Sequence, residues 1–250
     1  MKGVFPFISS MILFSTIGVV VRQIDLASSE RALLSSAIAC LFLTLVMKLQ
    51  KKRFDWPCIK QQFPLLLLCS AALAANWIFL YAAYNHTTIA NASLGYYCAP
   101  IFVMLLAPIV LKERLQFKKI VCVIVALSGL SLIVLSGMNA TNGSHLFGIS
   151  LSIGAAIFYA TVMLCTQFIA DIDRLTCNVV QLGLAVMLLL PYVFITEGTS
   201  ILSLSMQDVP FLFILGIVNT GLGFWLFFVG LEHLSGQRSA MLSYVDPLSY

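Results

Sequence analysis

Apolar positions along the chain fall in long blocks of about 18 to 23 residues, close to the roughly 20 a helix needs to cross hydrocarbon, and short polar breaks separate them. Backbone groups have no water to bond in a bilayer, so such blocks are expected to cross as α-helices. Eight complete spans are predicted, at 4–21, 32–49, 64–83, 89–111, 119–136, 146–168, 178–195 and 210–230. A ninth begins near Arg238 and meets the end of the sequence at Tyr250. About 13 residues at 1.5 Å each cannot cross roughly 30 Å of hydrocarbon, so the sequence reads as truncated within the ninth helix. The expected class is an all-α membrane protein.

The blocks repeat. Asn85 to Pro100 is echoed 147 positions later at Glu232 to Pro247, with His86 over His233, Tyr97 over Tyr244 and Pro100 over Pro247. The offset covers five predicted spans, an odd number, so the second copy must enter the bilayer in the opposite sense. That predicts a ten-helix, 5+5 inverted-repeat architecture of the transporter kind. The first repeat occupies 1–137 and the second, incomplete, occupies 146–250. By the same offset the partner of the fifth helix ends near 283, which leaves a tenth helix missing.

Composition agrees: 60% of residues are hydrophobic, 10% are charged and the mean hydropathy is +1.00, against roughly 25% charged in soluble domains. Lys and Arg collect on the cytoplasmic side of membrane proteins. With the N-terminus cytoplasmic, 12 of the 14 basic residues fall inside, and only Arg22 and Arg31 fall outside, near Asp25 and Glu30 as expected partners. The net charge of +4 is therefore topological and does not argue for nucleic-acid binding. The first apolar block is longer than the roughly 7 to 15 residues of a signal-peptide core, so it reads as a membrane helix. The seven cysteines lie in helices or on the inner side with no zinc-site spacing, and are expected to be free packing thiols.

Several residues carry candidate chemistry. Pro100 and Pro247 each remove a backbone hydrogen bond at matching places in the two repeats, and interrupted helices at such places mark a transporter's binding region; a static kink is the plain alternative. Trp77, Tyr81 and Tyr84 recur on one face of the third helix, and Ser93, Tyr97 and Pro100 on one face of the fourth. With Asn76, Tyr159, Gln167, Trp225 and Tyr244 they are candidates to line an aromatic cavity bearing a few hydrogen-bonding groups. Core packing is the alternative for Trp77, Tyr97, Tyr159 and Trp225, and interface anchoring is the reading taken for Tyr84. Asp246 is an acid inside a predicted span, which is costly unless it faces a cavity or partner. It is either a proton carrier with a raised pKa or a residue that solvates a helix end near Arg238. No metal or cofactor site is expected.

These residues carry a resemblance across the whole chain. Arg31 opening the second helix, Asn76-Trp-Ile-Phe-Leu-Tyr-Ala-Ala-Tyr in the third, Pro100 with Lys112-Glu-Arg-Leu after the fourth, Phe224-Trp-Leu-Phe-Phe in the eighth and Ser239-Ala-Met-Leu-Ser-Tyr-Val-Asp-Pro in the ninth resemble the EamA-like family of the drug/metabolite transporter superfamily. The resemblance implies ten helices in two inverted repeats and a secondary transporter of the plasma membrane. Its implied cargo is a small organic metabolite, amino acids or related compounds by export, moved by alternating access. Its expected partners are the lipid bilayer, the substrate and a coupling proton. An uptake carrier or nucleotide-sugar-type exchanger is the near alternative and an intramembrane enzyme the distant one, for which no GxSxG, HExxH or paired membrane acids are found.

Overall fold

In a computed structural model, residues 3–112, 121, 124, 125, 128, 143–170, 172–197 and 204–243 are described. Every regular element among them is a helix. Among the described residues seven stretches are long and apolar enough to cross a membrane: Val4–Val21, Ser28–Leu49, Phe63–His86, Ile89–Val110, His145–Thr166, Arg174–Thr196 and Val209–Leu231. The fifth predicted span, 119–136, lies outside the described residues except for Val121, Ile124, Val125 and Ser128, and so do Tyr244, Asp246 and Pro247.

Capping explains where the helices exceed their hydrophobic blocks. Helix α3 (Ser28–Leu49) starts four residues before the block, because the Glu30 carboxylate accepts the Ala27 N–H at 2.9 Å and offsets an otherwise orphaned donor. Helix α9 (Arg174–Thr196) starts early for the same reason. The Asp173 carboxylate accepts from the Leu175 and Thr176 N–H groups at 3.2 and 3.3 Å.

Two spans are interrupted near their middles. The first divides into α1 (Val4–Ser15) and α2 (Ile17–Val21). There the Ser15 and Thr16 hydroxyls donate to the Ile12 and Leu13 carbonyls at 2.8 Å, and Asn219 from the eighth span donates to Leu13 O at 2.6 Å and to Thr16 Oγ1 at 2.7 Å. Such back-bonding competes with the helical ladder. The fourth span, expected as one bent helix over 89–111, is two helices, α6 (Ile89–Tyr96) and α7 (Ala99–Val110). Pro100 has no N–H to offer the Tyr96 carbonyl, and it sits in the first turn of α7, where none is needed. The remaining elements are α4 (Trp56–Gln61), α5 (Phe63–His86) and α8 (Gly143–Thr166). The eighth span joins α10 (Val209–Phe213), a π-helical stretch Ile214–Leu222 and α11 (Gly223–Leu231), and α12 (Gly236–Leu242) follows.

Packing is crosswise between the two halves of the chain. α5 lies along α8, α1 along α11, α3 against α9 and the π-helical stretch, and α7 against α12. Small residues permit these approaches, as expected where lipid supplies no hydrophobic drive between helices. A Cβ on Gly95 would overlap Ser152 Oγ, one on Gly230 would meet Phe7 at 2.7 Å, and one on Gly216 would meet Ile38 at 2.6 Å. Leu41, Ile109, Met187 and Ile195 point outward and form an apolar girdle.

The two ends of the bundle differ in chemistry. One, the basic end, carries the Lys52–Asp173 ion pair at 2.6 Å, the Arg174–Glu232 pair at 3.5 Å and a hydrogen bond from Gln62 to the Ala170 carbonyl. At the opposite end Ser29 donates to Glu197 at 3.0 Å and Thr87 pairs with His145 at 3.0 Å. Arg22 and Arg31 sit there too; Asp25 and Glu30 lie close enough to attract Arg31, as expected, while hydrogen bonds from both arginines go to neutral groups. Arg22 donates to the Thr87 carbonyl at 3.1 Å, and Arg31 donates to the Val21 carbonyl and to Asn85 Oδ1 at 2.9 Å each. Glu30 also accepts from the N-terminus of its own helix.

Candidate functional site

The helix interruptions lie beside a central cavity. From α5 come Asn76, Trp77, Leu80, Tyr81 and Tyr84, from the fourth span Ser93, Tyr96 and Tyr97, from α8 Tyr159, from α11 Phe224, and from the first span Phe14 and Ile17. Helical spacing explains the α5 set, since residues one turn apart share a face. The break after Tyr96 lets consecutive residues, Tyr96 and Tyr97, both reach the space.

The walls are aromatic and the polar groups neutral. Tyr96 and Tyr159 lie at a ring separation of 5.3 Å, and Trp77 meets Phe224 edge to face at 5.5 Å. The Asn76 amide donates to the Ala155 carbonyl at 2.8 Å and to Tyr96 Oη at 3.4 Å. No acidic or basic side chain lines the cavity among the described residues. Hydroxyls and one amide inside apolar walls suit a small ligand recognised by shape and a few hydrogen bonds. The cavity volume is about 30 Å³, well below the roughly 300 to 1,000 Å³ of a small-molecule pocket, so the cavity is constricted in this conformation.

Toward the basic end the cavity gives way to a cluster of packed phenylalanine rings. Phe14 meets Phe224 at 5.0 Å, Phe7 meets Phe227 at 5.4 Å, and Phe227 meets Phe228 at 5.4 Å. Phe7, Phe227 and Phe228 are fully buried. Tyr84, Ile17 and Ser93 bring the cavity toward the opposite end.

Of the sequence candidates, Asn76, Trp77, Tyr81, Tyr97 and Tyr159 are brought together around this space. Pro100 is buried one turn away and shapes the break without lining the cavity. Gln167 lies elsewhere, at the end of α8, where its amide donates to the Leu231 and Leu234 carbonyls at 3.5 and 3.4 Å and ties down the turn between α11 and α12. Trp225 is half-buried against the core, and its neighbour Phe224 takes the cavity position. Tyr244 and Asp246 lie outside the described residues. Tyr84, read from sequence as an interface anchor, lines the cavity because the space extends to within a turn of the end of α5. Phe14, Ile17 and Leu80 gave no signal, being apolar residues within apolar blocks.

Comparison with known proteins decides the family. Residues 1–135 and 146–250 match the EamA-like transporter family. The chain belongs to that family. It is 29% identical over 256 residues to the Bacillus subtilis (strain 168) protein named Uncharacterized transporter YxxF, covering 98% of this chain and 78% of that one. Solute carrier family 35 member G1 of Homo sapiens is 28% identical over 174 residues, or 64% of this chain and 46% of its own length. A solved crystal structure superimposes with a TM-score of 0.80 at 17% identity, covering 99% of this chain and 85% of that one, and so shares the fold. The protein is a multi-pass membrane transporter, and its relatives are transporters rather than enzymes.

Proposed function

We propose that the chain is a secondary transporter that moves a small organic metabolite, an amino acid or related compound in the export direction, by alternating access between two inverted five-helix repeats. The observation that carries this reading is the constricted, uncharged aromatic cavity at the crossing of the two halves, with a ring seal on one side of it. Aromatic walls suit the carbon skeleton, and the Asn76 amide and tyrosine hydroxyls suit the polar head.

Correspondences at the 147-residue offset support the repeat. Shifted by it, Ser28–Leu49 covers Arg174–Thr196 to within one residue, and the start of Ile89–Tyr96 falls on that of Gly236–Leu242. The caps correspond as well: Thr88 accepts from the Asn91 N–H, and Ser235, its counterpart, accepts from the Arg238 N–H. Val110 and Gly143 lie at opposite ends of the bundle, as one more crossing requires. The basic end is assigned to the cytoplasm of a plasma-membrane protein by its lysines and arginines. The conformation is then closed to the cytoplasm by the phenylalanine seal. Asp246 is the proposed proton carrier, which Asp246→Asn tests through the pH dependence of transport.

The deciding experiment screens the purified protein for thermal stabilisation against a panel of amino acids and related metabolites, followed by flux of each hit in proteoliposomes. A ligand that binds the folded state raises the melting point by mass action. A stabilising compound that crosses the bilayer unchanged supports the reading; one that is chemically converted overturns it.

A further inference from the structure

The densest set of unpartnered polar atoms among the described residues lies away from the cavity, on α9. Asn178 and Gln181 are both 0% exposed, and both polar atoms of each amide lack a hydrogen-bond partner. Leaving a buried donor or acceptor unmade is costly, and native proteins rarely tolerate it without a ligand, a water or a second state that satisfies it.

Their direction follows from helix geometry. Arg174, Asn178 and Gln181 stand at i, i+4 and i+7, which is one face of α9. Arg174 on that face reaches Glu232, just past the end of α11. α9 runs inward from the basic end while α11 runs toward it, so the residue four positions in from each member of this pair lies at the same depth. These residues are Asn178 and Phe228. The amides therefore flank the phenylalanine seal.

The 147-residue offset adds a second argument. Asn178 corresponds to Arg31 and Phe228 to Tyr81. Arg31, 4% exposed, lies at the opposite end of the bundle, and Tyr81 lines the cavity. A buried polar residue and a buried aromatic ring thus recur at matching positions in the two halves.

We infer that Asn178 and Gln181 form a second substrate subsite, which takes up water and the polar head of the substrate when the Phe224–Phe227–Phe228 seal opens toward the basic end. This rests on the alternating-access reading. Two carboxamides present both donors and acceptors, so the subsite suits a head group that both donates and accepts, as an α-amino acid does. In the closed conformation the amides stay unpaired, which raises the energy of that state and favours opening.

The test uses a membrane-impermeant cationic thiol reagent on the full chain with its seven cysteines replaced by serine or alanine. Single cysteines are returned at Asn178, at Gln181, at the cavity residue Ser93, and at Val179, which is also buried and whose backbone carbonyl accepts from Cys40 on α3. Minor conformations populated to between about 0.1 and 10% are enough to be modified, so Asn178→Cys and Gln181→Cys are expected to react from the basic end roughly tenfold faster than Val179→Cys. Equal rates at the three positions overturn the subsite. Reaction of Ser93→Cys from one side only overturns the alternating-access reading itself, and reaction from both sides upholds it. A second variant keeps the native cysteines. Asn178→Leu with Gln181→Leu is expected to hold or raise the melting point while slowing the flux of whichever panel compound the wild type carries. Unchanged flux, or a lowered melting point with normal flux, overturns the subsite.

Discussion

Trp77 on α5 and Phe224 on α11 stand 147 positions apart in the chain and touch edge to face, with ring centroids 5.5 Å apart and planes at 86°. A two-fold axis brings a residue into contact with its own counterpart only where that residue lies on the axis. The pair therefore stands where the two halves of the proposed repeat meet, on the wall of the cavity. Edge-to-face pairs contribute about 0.5 to 1.5 kcal/mol beyond burial. A double-mutant cycle of Trp77→Leu and Phe224→Leu on unfolding stability is expected to return a coupling of about that size. A coupling near zero would remove the pair from the core of the interface.

Tyr97 lines the cavity and Trp225 does not. Tyr97→Ala is expected to weaken binding of any stabilising metabolite at least several-fold. Trp225→Ala leaves that affinity intact and lowers stability, as loss of a packed aromatic does by up to about 3 to 5 kcal/mol. Isothermal titration of both variants against the same ligand checks the split, and equal loss of affinity would contradict the observed lining.

Gly95 is in contact with Ser152 where α6 crosses α8. Gly95→Ala is expected to destabilise by about 1 to 3 kcal/mol through overpacking. Adding Ser152→Gly should restore much of the loss, whereas a simple change of helix propensity would not be rescued. Melting midpoints of the two variants decide between these causes.

Asp173 faces Lys52 at the basic end. Partial burial pushes its carboxyl up, but the hydrogen bond from Lys52, the Thr176 and Leu175 N–H bonds and the lysine charge outweigh that and hold it below the ordinary carboxylate range. A folded pKa below the unfolded value, about 3.9, means the stabilisation is fully present above that value and is lost as pH falls through the folded pKa. Asp173→Asn should therefore lower the melting point near neutrality, leave it little changed where the wild-type carboxyl is already protonated, and so flatten the acid limb of the profile below about pH 4. A limb of unchanged steepness would assign acid sensitivity to other groups.

Topology gives a fifth expectation. Single cysteines at Lys52 and Asp173 should react with an impermeant reagent only after the cell is permeabilised, and cysteines at the exposed Glu197 and Gln207 should react from outside. These pairs lie at opposite ends of the bundle. Outside labelling at Lys52 would reverse the assigned orientation.

Sequence alone determined the helices, because in hydrocarbon the length of an apolar block dictates a span and leaves the backbone no alternative. The crosswise contacts that give these spans their partners are not written in hydropathy, since lipid-facing and helix-facing residues are equally apolar. That is why Phe14, Ile17 and Leu80 were silent in the sequence, and why Phe224 and Trp225, adjacent aromatics on one helix, could not be told apart. The Glu30 carboxylate likewise accepts from the Ala27 N–H while Arg31 donates to Asn85, a choice of hydrogen-bond partners that charge spacing does not encode. The interruption at Tyr97 follows from Pro100, which any chain must accommodate by losing a backbone bond. Which side chains turn into the space beside that break, and which amides are left unpaired behind the seal, depends on the rotation of each helix about its axis, and only tertiary packing sets that rotation.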